Sequence, residues 1–158
     1  MRYLKLYIET SVWNFYYADD SPEKKKVTRN FFDYLPKNKF DIYISVIVLD
    51  EFDQATETKK NQLIKLIDNY NPTILTMESS VRDLANAYLA NNVLPQKSFF
   101  DAYHIAFASV NELDFIVSWN LKHIANIQRQ ERVQAINLLN GYTKSIQMIT
   151  PMEVSEHE

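Results

Sequence analysis

Two periods of apolar residues alternate along this chain. Residues 3–8 mix apolar and polar positions as a strand does and run straight into Glu9-Thr10-Ser11, where a hydroxyl can cap a helix over 12–17. Ser21-Pro22 supplies an N-cap and a first-position proline for a helix from 22 to about 36. Residues 40–44 predict the next strand, closed by Ser45 as a second capping hydroxyl, and a helix over 46–55 carries Glu51. Leu63, Ile64, Leu66 and Ile67 mark a helical face over 59–70, which Asn71-Pro72 breaks before a strand at 73–77. An amphipathic helix follows at 81–89, ended by Asn91-Asn92 and Pro95.

The stretch 95–126 organises the rest. Phe99, Tyr103, Ala106 and Val110 recur at helical spacing and predict a packed stripe, with Asp101, His104 and Ala108 on a neighbouring one. After a turn at 111–114, Phe115-Ile116-Val117 is the short apolar run of a central strand, and it stops at Ser118-Trp119-Asn120. A helix over 128–139 with Gly141 as its stop, a strand at 146–149 and the capping-box pattern Thr150-Pro151-Met152-Glu153 close the chain. The alternation predicts an α/β fold: one domain over 1–158, with a mostly parallel central sheet of about five strands and helices on both faces. In such sheets function gathers where the strands end.

Composition narrows the chemistry. The 158 residues are 46% apolar and 13% aromatic, enough for one well-packed core. Cysteine is absent, so any metal must be held by oxygen or imidazole. Gly141 is the only glycine, which excludes a P-loop and a glycine-rich dinucleotide fingerprint. A net charge of -3 argues against a broad duplex-binding face but leaves room for a local basic rim. The opening MRYLKLYIETSV has no apolar signal core, and no run approaches a membrane span; a soluble, cytoplasmic protein is expected.

Three carboxylates, Glu9, Glu51 and Asp101, fall at strand exits or helix starts of separate βα units, with the amide Asn120 at a fourth exit. A parallel sheet puts those exits on one edge. Acids gathered there repel one another unless a cation neutralises them, and a hard divalent ion, Mg²⁺ or Mn²⁺, is the natural partner for oxygen donors.

The ordered motifs resemble the PIN-domain ribonucleases, in particular the VapC-like toxins of type II toxin-antitoxin pairs. Leu6-Tyr7-Ile8-Glu9-Thr10-Ser11-Val12 is similar to the family's first acidic motif, Ile44 to Glu51 to its second, and Asp101-Ala102-Tyr103-His104-Ile105-Ala106 to its third. Ser118-Trp119-Asn120-Leu121-Lys122-His123 and Thr150-Pro151-Met152-Glu153 resemble a subgroup with a tryptophan-asparagine signature. The resemblance implies a metal-dependent endoribonuclease in which Glu9, Glu51 and Asp101 hold Mg²⁺ or Mn²⁺ and Asn120 completes the site. Thr10, Ser118 and His123 would support it, and Lys97 and Lys122 would meet RNA phosphates, as would Lys24, Lys25 and Lys26. It also implies a homodimer and a cognate antitoxin. Two departures stand out: Glu9 replaces the aspartate of many members, and Asn120 replaces a fourth acid. A second metal position and activity itself therefore stay open, and the alternative is a catalytically weak scaffold that binds protein or RNA.

Each residue also has a plainer explanation. Ser98-x-x-Asp101 is a capping box; Glu51 suits a solvated helix face; the lysine triplet suits one too. His104 on an apolar helix suits a hydrogen-bonded packing residue, and Trp119 a core or interface position. Glu9 has the fewest structural duties if Thr10 or Ser11 does the capping. A haloacid-dehalogenase-like phosphatase is excluded, because Glu9-Thr10-Ser11 offers neither its aspartate nucleophile nor the second aspartate two residues on.

Overall fold

A computed structural model describes residues 2–120 and 126–155. Strand β1 (Leu4–Ile8) occupies the middle of a five-stranded sheet of order β3-β2-β1-β4-β5. It pairs in parallel with β2 (Phe40–Ser45) on one side and β4 (Phe115–Val117) on the other. The outer strands, β3 (Thr73–Leu75) and β5 (Gln147–Ile149), are parallel to their neighbours as well. All five strands therefore point one way, and burial of both sheet faces explains why Leu6-Tyr7-Ile8 and Ile116-Val117 read as continuous apolar runs. Because β2 and β4 lie on opposite sides of β1, the winding reverses between β1 and β4, and the crevice of such a switch point opens at the strands' C-terminal ends.

Helices α1 (Thr10–Phe15), α2 (Pro22–Tyr34) and α4 (Glu57–Tyr70) pack together, α2 also meeting the short α8 (Pro151–Ser155). The second group consists of α5 (Ser79–Ala90), α6 (Phe99–Val110) and α7 (Ile127–Leu139). Helix α3 (Val46–Phe52) contacts α1 and α6 and so bridges the two. Tyr88, Ser109 and Asn137, one from each helix of the second group, form a buried polar cluster: Asn137 Nδ2 donates to Ser109 Oγ at 3.0 Å, and the Tyr88 hydroxyl donates to Asn137 Oδ1. Among the described residues no helix is long and apolar enough to cross a membrane.

Several sequence expectations change here. The stripe Phe99, Tyr103, Ala106 and Val110 is only part of the packed face of α6: Ala106 is buried and Tyr103 and Val110 pack half-buried against the core, but Phe99 is 40% exposed, whereas Ala102 and every residue from His104 to Ser109 are buried. A helix enclosed on several sides has no single apolar stripe for periodicity to find. Ser98 stands at the N-cap of α6 without a side-chain capping bond, so its half of the expected capping box is not built. The box at Thr150 is built on the acid's side, Glu153 Oε2 accepting from Thr150 N at 2.7 Å.

Asp114 ties the start of the sheet together. Its carboxylate accepts from Lys5 N at 2.8 Å and Lys144 Nζ at 2.6 Å, and it pairs with Arg2. Burial pushes its pKa up, but Lys144, the Lys5 amide and Arg2 outweigh burial and hold it down at about 2. A depressed carboxylate contributes stability above its unfolded value near 3.9 and loses it as pH falls towards 2. Asp114→Asn should therefore cost on the order of 1 to 2 kcal/mol at neutral pH, with screening of the exposed Arg2 already discounted. The gap should narrow steadily below about pH 4 in urea denaturation. A pH-independent difference would assign the loss to packing instead.

Candidate functional site

Glu9 follows the last residue of β1 directly, and the local chain makes it the N-cap of α1. Capping does not fall to Thr10 or Ser11, as the sequence suggests. The longer acid reaches back over the first turn, and its Oε2 accepts from Ser11 N at 3.2 Å. Its Oε1 accepts from the Ser11 hydroxyl and from Ser118 Oγ at 2.6 Å, so β4 contributes to aiming a carboxylate carried by β1. Ser118 Oγ also accepts from Asn120 N at 2.9 Å, and Ser11 Oγ from Trp119 N at 2.9 Å. Glu9 is 2% exposed, yet both its oxygens have partners.

Glu51 approaches from the next βα unit. Ser45 ends β2 and caps α3, its Oγ accepting from Ile47 N at 3.2 Å, and this fixes the start of the short helix on which Glu51 rides. Glu51 Oε1 accepts from Thr10 Oγ1 at 2.6 Å and lies 2.6 Å from His104 Nε2. His104 Nδ1 in turn lies 2.6 Å from the Tyr7 hydroxyl, which is 2.8 Å from Ser45 Oγ. A closed circuit runs from Glu51 through His104 and Tyr7 to Ser45 and back along α3.

Ligand atoms of Glu9, Glu51 and His104 all lie within 4.8 Å of one another. Two carboxylates at that distance repel by about 3 kcal/mol at an effective dielectric near 20. His104 is the built-in counterweight. Burial lowers its pKa, but the Glu51 hydrogen bond and the charges of Glu9, Glu51 and Asp101 override burial, so the net direction is up. Burial likewise raises Glu51, and the hydrogen bond and charge of His104, with the Thr10 hydroxyl, carry its net pKa below the ordinary carboxylate range.

Asp101 is not in that close group. It lies in the first turn of α6, three residues before His104, and its charge acts on that imidazole. Lys97 is exposed in the short 3₁₀ turn Gln96–Ser98 just before α6. Lys122 and His123 lie outside the described residues. The lysine triplet is not one uniform patch: Lys25 pairs with Asp19, whereas Lys24 Nζ sits over the rings of Phe15 (5.1 Å) and Trp119 (5.5 Å). Sequence reasoning misses Tyr7 and Ser11 as site residues, yet they carry much of the geometry. Their signal was their place beside a strand exit.

No family model and no curated protein matches the chain. Among solved structures, a chain of a toxin-antitoxin complex from Klebsiella pneumoniae is 16% identical, with a TM-score of 0.55 over 78% of this chain and 93% of that one. A chain of VapBC2 from Rickettsia felis, solved with a DNA fragment from its promoter, is 17% identical, with a TM-score of 0.54 over 75% and 90%. The chain has the PIN-like fold. At these identities the likeness is one of architecture, and chemistry must be argued from the side chains.

That chemistry fits a hard divalent cation. The donors are carboxylate oxygens from two βα units at a switch point, each carboxylate fixed by hydroxyl or amide donors. The His104 nitrogen that faces Glu51 is engaged with it, which suits orienting the carboxylate better than binding a metal.

Proposed function

We propose that the chain is a metal-dependent endoribonuclease that hydrolyses RNA phosphodiester bonds, and that it is the toxin half of a toxin-antitoxin pair. The observation that carries this is the meeting of Glu9 and Glu51 at the switch point of a fold shared with toxin-antitoxin structures. In this reading Glu9, Glu51 and Asp101 hold Mg²⁺ or Mn²⁺, and Asn120 completes the site. The bound cation supplies Lewis-acid stabilisation of phosphate oxygens and activation of the attacking water. The chain's own work is orientation: Ser11 and Ser118 aim Glu9, Thr10 and His104 aim Glu51, and the lysines at the rim meet phosphates without reading sequence. A homodimer, a cytoplasmic place of work, and a basic or amphipathic antitoxin segment that blocks the acidic pocket belong to the same proposal.

Asn120 brings a carbonyl but no charge, so metal binding should be weak, at one principal position, with activity in millimolar Mg²⁺ or Mn²⁺. Calorimetric titration with Mn²⁺ beside cleavage of a structured RNA tests this. Cleavage should stop on chelation with EDTA, and Asn120→Asp should tighten Mn²⁺ binding about tenfold. RNA cleavage that survives EDTA, or none at all in millimolar Mn²⁺, would reject the proposal. Asn120 and the separation of Asp101 from the close group favour a second reading, a scaffold that binds RNA or a partner protein without cutting. It predicts RNA binding with no cleavage under any metal.

A further inference from the structure

In the second helix group, two arginines line a cavity whose walls carry no acid. Helix α7 opens at Asn126, whose Oδ1 accepts from Arg129 N at 2.9 Å, and Val133 anchors the helix to the core. Arg129 and Arg132, three residues apart, share one helical face. Both line a cavity of about 320 Å³, together with the amides of Asn126 and Gln128. The opposite wall is the chain from Asn92 to Pro95, which links α5 to the 3₁₀ turn before α6. Val93 and Leu94 are buried and hold that wall in place, and Val93 N donates to Tyr88 O at 3.0 Å. Both walls adjoin the proposed active edge: Asn126 comes after the Asn120 exit of β4, and Pro95 leads through Lys97 into the helix of Asp101.

The charges of this cavity favour an anion, and a doubly charged one. Arg132 is exposed and, among the described residues, has no carboxylate partner. One feature opposes an anion, the C-terminal end of α5 beside Asn92, where helix carbonyls carry partial negative charge. Those carbonyls are engaged: Ala87 O accepts from Asn91 Nδ2 at 2.8 Å, Tyr88 O from Val93 N, and Leu89 O from Asn92 N and Gln96 Nε2, each at 3.1 Å. The two guanidiniums outweigh what is left. A phosphodiester within a strand carries one negative charge, whereas a terminal phosphate carries about 1.5 to 2 near pH 7 and offers three oxygens to the planar forks of arginine. The amides of Asn92 and Gln128 supply neutral donors beside them.

We propose that Arg129 and Arg132 form a receptor for a terminal phosphate group, carried by a free nucleotide or by the end of an RNA strand lying along the active edge. This site is separate from the carboxylates and does not depend on the ribonuclease reading. Calorimetry of the full-length protein in EDTA, at fixed ionic strength, compares uridine 5′-monophosphate with uridine, dimethyl phosphate and succinate. The nucleotide should bind at least tenfold more tightly than each of the other three. Arg132→Gln should weaken nucleotide binding about tenfold, and Arg132→Lys, which keeps the charge and loses the fork, should fall between. Lys65→Gln makes the same charge change at an exposed position on α4 outside the cavity and should leave the affinity unchanged. A 2′-O-methyl oligouridylate with a 5′-phosphate separates the two sources. Binding tighter than the nucleotide's, and lost with a 5′-hydroxyl, identifies a strand end; binding no tighter identifies a free nucleotide. Uridine binding as well as its monophosphate would overturn the proposal, as would an Arg132→Gln variant of unchanged affinity or one matched by Lys65→Gln. Dimethyl phosphate binding equally would replace it with contact to phosphates inside a strand, and succinate binding equally with capture of an acidic peptide.

Discussion

Glu9→Gln and Glu51→Gln should each lower metal-dependent RNA cleavage by about a hundredfold or more, since each removes a charge from the pair that would hold the cation. The stability effects should differ. Glu9 caps α1 and accepts three hydrogen bonds, and a glutamine keeps one acceptor oxygen for Ser11 N while turning an NH₂ towards hydroxyls that can rotate to accept it. A loss of about 1 kcal/mol is expected, not the neutral outcome that relief of repulsion alone would suggest. Glu51→Gln relieves the same repulsion but gives up a charge-assisted bond to His104, so its cost should be similar or larger. Single-turnover cleavage with thermal denaturation of each variant separates the two effects. Either variant cutting RNA at the wild-type rate would remove its carboxylate from the site.

What the sequence disclosed and what it hid follow from the physics of each feature. Exits of buried parallel strands are legible because apolar runs stop abruptly at polar groups, as after Ile8, Ile44 and Val117, and the sheet then gathers those exits on one edge. The cap at Ser45 was legible for the same reason that the cap at Glu9 was not: short hydroxyls are the usual acceptors, and only the geometry of this exit shows a glutamate folding back on its own helix. The apolar helix around His104 marks it as a hydrogen-bonded packing residue, but its partners come from β1 and α3, and no local spacing encodes contacts made across the sheet edge. The enclosed α6 misleads for a further reason, since a helix packed on several faces gives Phe99 the periodicity of a core stripe without the burial.

His104→Phe should produce the largest loss of stability in the site, and one with a distinctive pH profile. Phenylalanine fits the apolar side of α6 but leaves Tyr7 with Ser45 alone and Glu51 with Thr10 alone, removing a buried charge-assisted bond on the order of 2 kcal/mol. The sign follows from the two shifts. The raised pKa of His104 contributes stability that is fully present below the unfolded value near 6.5 and is lost as pH rises through the folded value. The lowered pKa of Glu51 contributes stability present above its unfolded value near 4.3 and lost as pH falls through the folded value. The difference between wild type and His104→Phe should therefore be widest at about pH 5 to 6 and narrow on both sides. The same variant should weaken Mn²⁺ binding roughly tenfold, because Glu51 loses the partner that orients it. His104→Gln, which can still donate to Glu51, should recover part of the metal affinity without restoring the pH profile. Urea denaturation across pH beside Mn²⁺ calorimetry reads both outcomes. A stability gap that is flat or grows towards alkaline pH would mean that a neutral imidazole holds Glu51, and the charge balance assigned to this site would then have to come from the bound cation alone.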